Sequence, residues 1–152
     1  MKIGVSTYSL YRPIQSGEIT VLGAIEKIAE MGGEHVEIVP IGCTLTGNPE
    51  LVDQIVAKAK EVGIDVSNYA IGANFAVDTE EAYRKEIERV KGEVDIAARL
   101  GVKLMRHDVA SRQDTSIKQF NQEVGRLAEA CREIADYAAQ YGITTSVEHH
   151  GY

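Results

Sequence analysis

The chain has 152 residues, 44% of them hydrophobic and 26% charged, with a formal charge of -7. That length and balance describe one domain with a real core. The acidic charge excludes the basic stripe of a nucleic-acid-binding surface, and no apolar run is long enough to span a bilayer. The start, "MKIGVSTYSL", has too short an apolar block for a signal peptide and no small-residue cleavage site. A cytoplasmic protein with two reduced thiols, Cys43 and Cys131, is expected.

In chain order, five short β-type runs stand out: "KIGVSTYS", "HVEIV", "DVSNYA", "KLMRHDV" and "TTSVEH". They are rich in apolar and β-branched residues, as covered parallel strands are. Helical stretches separate them. A less regular helix is expected over about residues 20–31. A second begins at Asn48, an N-cap followed by Pro49. Apolar residues from Tyr83 to Leu100 and from Phe120 to Tyr141 recur at steps of three and four, each set on one helix face. Asp78 with Glu81, and Ser116 with Gln119, have capping-box spacing. Each helix ends at a glycine (Gly32 or Gly33, Gly63, Gly101, Gly142) placed for a left-handed cap, and a strand follows at once.

This βα grammar implies a parallel sheet with right-handed crossovers. Two folds fit. One is the first half of a (β/α)8 TIM barrel, with about five strands and four helices. The other is a self-contained, doubly wound sheet of five strands. Length favours the second. The absence of a helix after the last strand, and of a glycine-rich phosphate cradle in "STYSLYRPIQSGE", favours the first.

Function in such a protein collects at the carboxyl ends of the strands. Those ends read Tyr8; Glu37; Asn68 and Tyr69; Arg106, His107 and Asp108; Glu148, His149 and His150. Tyr8 reads equally as core and as the aromatic wall of a substrate site. Glu37, inside "VEIV", reads equally as a structural ion pair and as a site residue, since a lone carboxylate is costly there. Strand alternation sends Arg106 and His107 to opposite sides. A satisfied core histidine is the weightier reading of His107, a substrate contact the sharper one. Alternation also puts Glu148 and His150 on one side, a carboxylate and an imidazole suited to a divalent metal. Two ligands alone do not complete a site.

The stretches "IGVSTYSL", "GGEHVEIV", "AARLGVKLMRHD" and "YGITTSVEHHG" resemble the xylose isomerase-like TIM barrels, the sugar phosphate isomerase/epimerase superfamily. The resemblance covers essentially the whole chain, but only the family's first half. Its most specific piece is "EHHG", where members commonly read Glu-Asn-His-Gly, so His149 departs from the pattern. The resemblance implies that residues 1–152 are a single N-terminal half-barrel whose remaining strands are absent. Glu148 would be the first metal ligand and a catalytic residue, with an Asp, a His and a Glu on strands six to eight. By the resemblance His150 would touch a metal ligand or the substrate and would not be a primary ligand, and the strand-end reading adds Tyr8 and His107 as substrate contacts. The implied activity is a metal-dependent sugar or sugar-phosphate isomerase or epimerase working by proton transfer through an enediolate, with Mn, Co, Mg or Zn as Lewis acid. A dehydratase or lyase of the same barrel and a non-catalytic α/β binding domain are the alternatives. This stretch alone is expected to be inactive and to bind metal weakly. It is also expected to form a homodimer or larger assembly, because a half-barrel leaves two strand edges and an inner face uncovered. Endonuclease-type relatives in the family need a basic groove that this acidic chain lacks.

Overall fold

The computed structural model describes residues 1–111 and 116–148. The chain runs β1 (Gly4–Ser6), a 3-10 turn (Thr7–Leu10), α1 (Tyr11–Gln15), α2 (Val21–Glu30), β2 (His35–Ile38), α3 (Pro49–Val62), β3 (Asp65–Ile71), α4 (Glu80–Leu100), β4 (Leu104–His107), α5 (Ile117–Ala139) and β5 (Thr144–Val147). All five strands are parallel and lie in sequence order, β1-β2-β3-β4-β5. A doubly wound sheet reverses direction at a switch point in its strand order. This sheet never does. Its helices follow one another over a single face, α2 against α3, α3 against α4 and α4 against α5. The order is that of the first half of a (β/α)8 barrel.

The helix boundaries follow local chemistry. Thr20, Asn48, Thr79 and Ser116 each accept a hydrogen bond from the backbone N–H three residues on. The cap of α4 is therefore Thr79, not Asp78, one residue later than the capping-box spacing suggests. Gly63 and Gly101 adopt φ of 76° in left-handed caps, which end α3 and α4 and turn the chain into the next strand.

Two further differences from the sequence reading shape the site. The first strand ends at Ser6, and Thr7 onward is helical, which adds a short fifth helix, α1. The reason is local. Ser6 caps the turn by accepting from the Tyr8 N–H, and the buried Thr7 hydroxyl both donates to the Val39 carbonyl and accepts from the Val39 N–H. Thr7 thus fills the interior place, and Tyr8 is turned outward. The second difference is an irregular register between β2 and β3. Val36 faces Val66 but Glu37 faces Asn68, so Ser67 is the extra residue of a bulge.

The core lies between the sheet and its helices. It includes Ile25, Ile28, Val36, Ile38, Ile55, Tyr69, Phe75, Ile87, Met105 and Ile134, all buried. The other face of the sheet is mostly polar. Ser6, His35, Glu37, Asn68, Arg106, Ser146 and Glu148 line the clefts along it, with Leu104 as the large apolar exception. The expected uncovered inner face is therefore largely hydrophilic. Exposed apolar residues include a group on α5 and β5, at Ile117, Phe120, Val124 and Val147, and others at Ile3, Met31 and Leu104. No helix among the described residues is long and apolar enough to cross a membrane.

Candidate functional site

A cavity of about 660 Å3 opens at the carboxyl ends of the strands. Ser6 and Tyr8 wall it at β1, Glu37 and residues 39–41 at β2, residues 70–72 at β3, Arg106 and Asp108 at β4, and Glu148 at β5. Parallel strands in register bring these ends together, because each βα unit delivers its strand in the same direction. Arg106 lies opposite Ser146 across the β4–β5 ladder. Glu148, two residues beyond Ser146, returns to the same side of the sheet.

The centre of the site is a charged bridge. The Arg106 guanidinium reaches Glu148 through Nε, 3.0 Å from Oε2, and Asp108 through Nη1, 2.7 Å from Oδ1. On the other side of Glu37, in the neighbouring cleft along the sheet, Asn68 donates from Nδ2 to the Glu37 carboxylate at 2.6 Å. The structural partner of Glu37 is thus an amide, not a cation. That satisfies the carboxylate within the sheet without adding positive charge. Tyr8 is 58% exposed and stacks on Tyr11, their ring centroids 5.6 Å apart. Its place in the fold is the cavity rim, not the core.

His107 does not face this cavity. It is 1% exposed, donates from Nδ1 to the Asp108 carbonyl at 2.8 Å and meets the edge of Phe75 at 6.0 Å. The sequence reading of His107 as a substrate contact therefore gives way in the geometry to Arg106, which takes the inward position. Burial pushes the His107 imidazole below its ordinary value, with the Asp108 carbonyl opposing the shift. A depressed histidine stays neutral in the fold while the unfolded chain takes up a proton near pH 6.5. Stability should therefore fall as pH drops below about 6.5, by at most about 1.4 kcal/mol per unit from this group. Urea midpoints at pH 7 and 5.5 test this. The fall should flatten in His107→Gln, and equal slopes in both proteins would contradict the assignment.

Among the described residues, no three His, Cys, Asp or Glu side chains converge as a metal site would require. Glu148 contributes one carboxylate, and that carboxylate holds Arg106. The described residues therefore do not by themselves fit a divalent ion. His149 and His150, including the expected substrate contact at His150, lie outside the described residues.

A second network sits behind the cavity. Glu93 on α4, 7% exposed, accepts from the Tyr69 hydroxyl at 2.6 Å, from Thr46 at 3.1 Å and from Arg89 at 3.4 Å. Arg89 also donates to the Gly72 carbonyl at 2.7 Å. Burial and the Glu93 carboxylate push the Tyr69 phenol far above its ordinary value. Tyr69, read from sequence as a strand-end site residue, therefore points into the helical layer. There it helps tie the loops after β2 and β3 to α4.

The whole chain can be placed among known proteins. Its sequence matches the pattern of the xylose isomerase-like TIM barrel over residues 25–152. No curated protein matches by sequence. Solved structures do match in fold. A 3-keto-D-glucoside 4-epimerase from E. coli superposes with a TM-score of 0.72 at 18% identity, over 97% of this chain and 55% of that one. A D-psicose 3-epimerase from Clostridium cellulolyticum H10 gives 0.74 at 19%, over 95% and 51%. The probable 3-DHS dehydratase of petrobactin synthesis from Bacillus anthracis gives 0.72 at 18%, over 99% and 53%. This chain spans about half the length of these structures, and the likeness at such identity is one of fold. The strand order, the cavity at the strand ends and the matched sequence pattern agree: the chain belongs to the xylose isomerase-like TIM barrel family.

Proposed function

We propose that residues 1–152 form the N-terminal half of a metal-dependent enzyme that isomerises or epimerises a small sugar, with strands six to eight supplied by further polypeptide. The observation that carries this reading is the position of Glu148. It ends the fifth strand of a family half-barrel with its carboxylate at the cavity. In this reading Glu148 is the first ligand of a divalent ion (Mn, Co, Mg or Zn), and the remaining ligands come from the other half. The ion would supply Lewis-acid stabilisation of negative charge on the sugar oxygens. This chain's own residues do the rest of the work on their side. Tyr8 walls the cavity, Glu37 offers an acceptor to hydroxyls, and Arg106 orients Glu148. His150 keeps the substrate contact that the family pattern gives it.

Among the described cavity-lining residues, Glu37, Asp108 and Glu148 face a single guanidinium. That balance favours an uncharged sugar over a phosphorylated one. A dehydratase of the same barrel is the second reading, supported by the 3-DHS dehydratase, whose fit to this chain equals that of the 4-epimerase. One experiment separates them. The protein carrying both halves, loaded with Mn2+, is incubated with ketohexoses in D2O. Deuterium entering beside the carbonyl with the carbon skeleton intact is the expected result. Loss of water from substrate would establish the dehydratase instead, and neither change would sink both readings.

The assembly expected from sequence is carried forward as part of the proposal. Among the described residues, β1 and β5 are paired on one side only, and open edges recruit strands. In cytoplasm-like buffer at micromolar concentration, light scattering of the isolated chain should give a dimer or larger mass. A monomer that unfolds cooperatively would contradict this.

A further inference from the structure

Ion pairs stitch each helix to the next. Glu26 meets Lys58 between α2 and α3, Asp53 meets Arg99 between α3 and α4, and Glu133 meets Arg84 and Lys91 between α4 and α5. The flank of α5 that faces away from α4 is different. Ile117, Val124, Ala128 and Ala135 recur there at helical steps, the first three exposed and Ala135 half-buried. Phe120, within a turn of Ile117 and Val124, is exposed as well. The strand beside this flank, β5, is paired on one side only among the described residues. Its last residue, Val147, is exposed on the helical side, where its ladder neighbour His107 is buried. Bulk along the flank is uneven: Ile117, Phe120 and Val124 occupy its N-terminal half, and Ala128 and Ala135 its C-terminal half.

We propose that this flank and the β5 edge form one self-complementary interface, on which a second copy of this chain packs about a two-fold axis. The inference rests on the self-association proposed above and goes beyond it by naming the surface. An axis normal to the sheet at the β5 edge does two things at once. It pairs β5 antiparallel with its copy, which satisfies the open edge. It also lays α5 antiparallel on its copy, so that the bulky half of each flank meets the alanine half of the other. The spacing closes. α5 links β4 to β5 and packs on β5, so it lies over the gap between them, about half a strand spacing from β5. The axis lies about half a spacing beyond β5 on the other side. With strands about 4.8 Å apart, the two helices stand about 10 Å from each other, a distance at which helices pack. A two-fold contact uses the same patch on both copies and stops at a dimer.

The test is light scattering at micromolar concentration on the unsubstituted chain and on Val124→Asp, Ala128→Arg and Leu104→Asp, each first shown to unfold cooperatively in urea. All three positions are exposed in the single chain. The unsubstituted chain should be a dimer, and so should Leu104→Asp, whose substitution lies on the other face of the sheet. Val124→Asp and Ala128→Arg place an unpaired charge in the interface. Their dissociation constants should rise at least tenfold. A dimer that persists unweakened in either flank variant would overturn the proposal, as would one lost in Leu104→Asp or an unsubstituted mass other than a dimer. If a flank variant does not fold, hydrogen exchange of the unsubstituted chain at low and high concentration decides. Amides of β5 should become better protected as concentration rises, and those of β1 should not. Concentration dependence absent from β5 would overturn the proposal. A monomer sinks the self-association with it, whereas a dimer through another face sinks this interface alone. No readout uses turnover, so the enzymatic reading is judged separately.

Discussion

Replacing Glu148 with glutamine in the protein carrying both halves of the barrel should lower kcat/KM for its sugar by about a thousandfold or more. The substitution keeps size and removes charge. It leaves an amide where the proposed function needs an anionic ligand, and losing one preorganised electrostatic group costs about a hundredfold to a thousandfold, to which the loss of metal adds. Tyr8→Phe should change the rate less than tenfold, because Tyr8 is an exposed ring stacked at the rim. Steady-state kinetics on both variants checks the contrast. A Glu148→Gln enzyme within tenfold of the parent would remove Glu148 from the metal and catalytic roles together.

The largest stability effect outside the core is expected at Glu93. Glu93→Ala should destabilise the chain by about 3 kcal/mol. It removes the acceptor of the buried Tyr69 hydroxyl and of Thr46, and it frees one arm of Arg89. An orphaned buried hydroxyl alone costs about 1–3 kcal/mol. Glu93→Gln, which keeps the shape and one acceptor oxygen, should cost less than half as much. Urea unfolding provides the measurement, and a loss below about 1 kcal/mol for Glu93→Ala would show that the network contributes little. The loops tied down by this network, around Thr46 and Gly72, form part of the cavity wall or continue from it. The alanine variant should therefore also exchange amide hydrogens faster there.

Much of this architecture is legible in the sequence because its signals are local. Helix periodicity, the caps at Asn48 and Ser116 and the glycines that end helices are read within a few residues of one another. So is the alternation that sends Arg106 and His107 apart. What the sequence hides depends on contacts between distant segments. Thr7 turns the chain into a helix because Val39 meets its hydroxyl, and nothing near Thr7 announces Val39. The cavity position of Arg106 and the buried one of His107 depend on which side of β4 meets the helices. Alternation gives the parity of a strand but not its orientation. Asp108 was visible as a strand-end carboxylate, but its pairing with Arg106 in the same bridge as Glu148 requires the β4–β5 register. Tyr69 had the right position in sequence and the wrong side of the sheet, and only its contact with Glu93, 24 residues away, reveals this.

The central claim is that Glu148 presents a metal-binding carboxylate to a barrel cavity of which this chain forms one half. The most direct measurement is a crystal structure of the protein carrying both halves, grown with Mn2+ and recorded for anomalous scattering. The expected result is an anomalous peak about 2.2 Å from a Glu148 oxygen. A peak at full metal occupancy that lies away from Glu148 would contradict the claim.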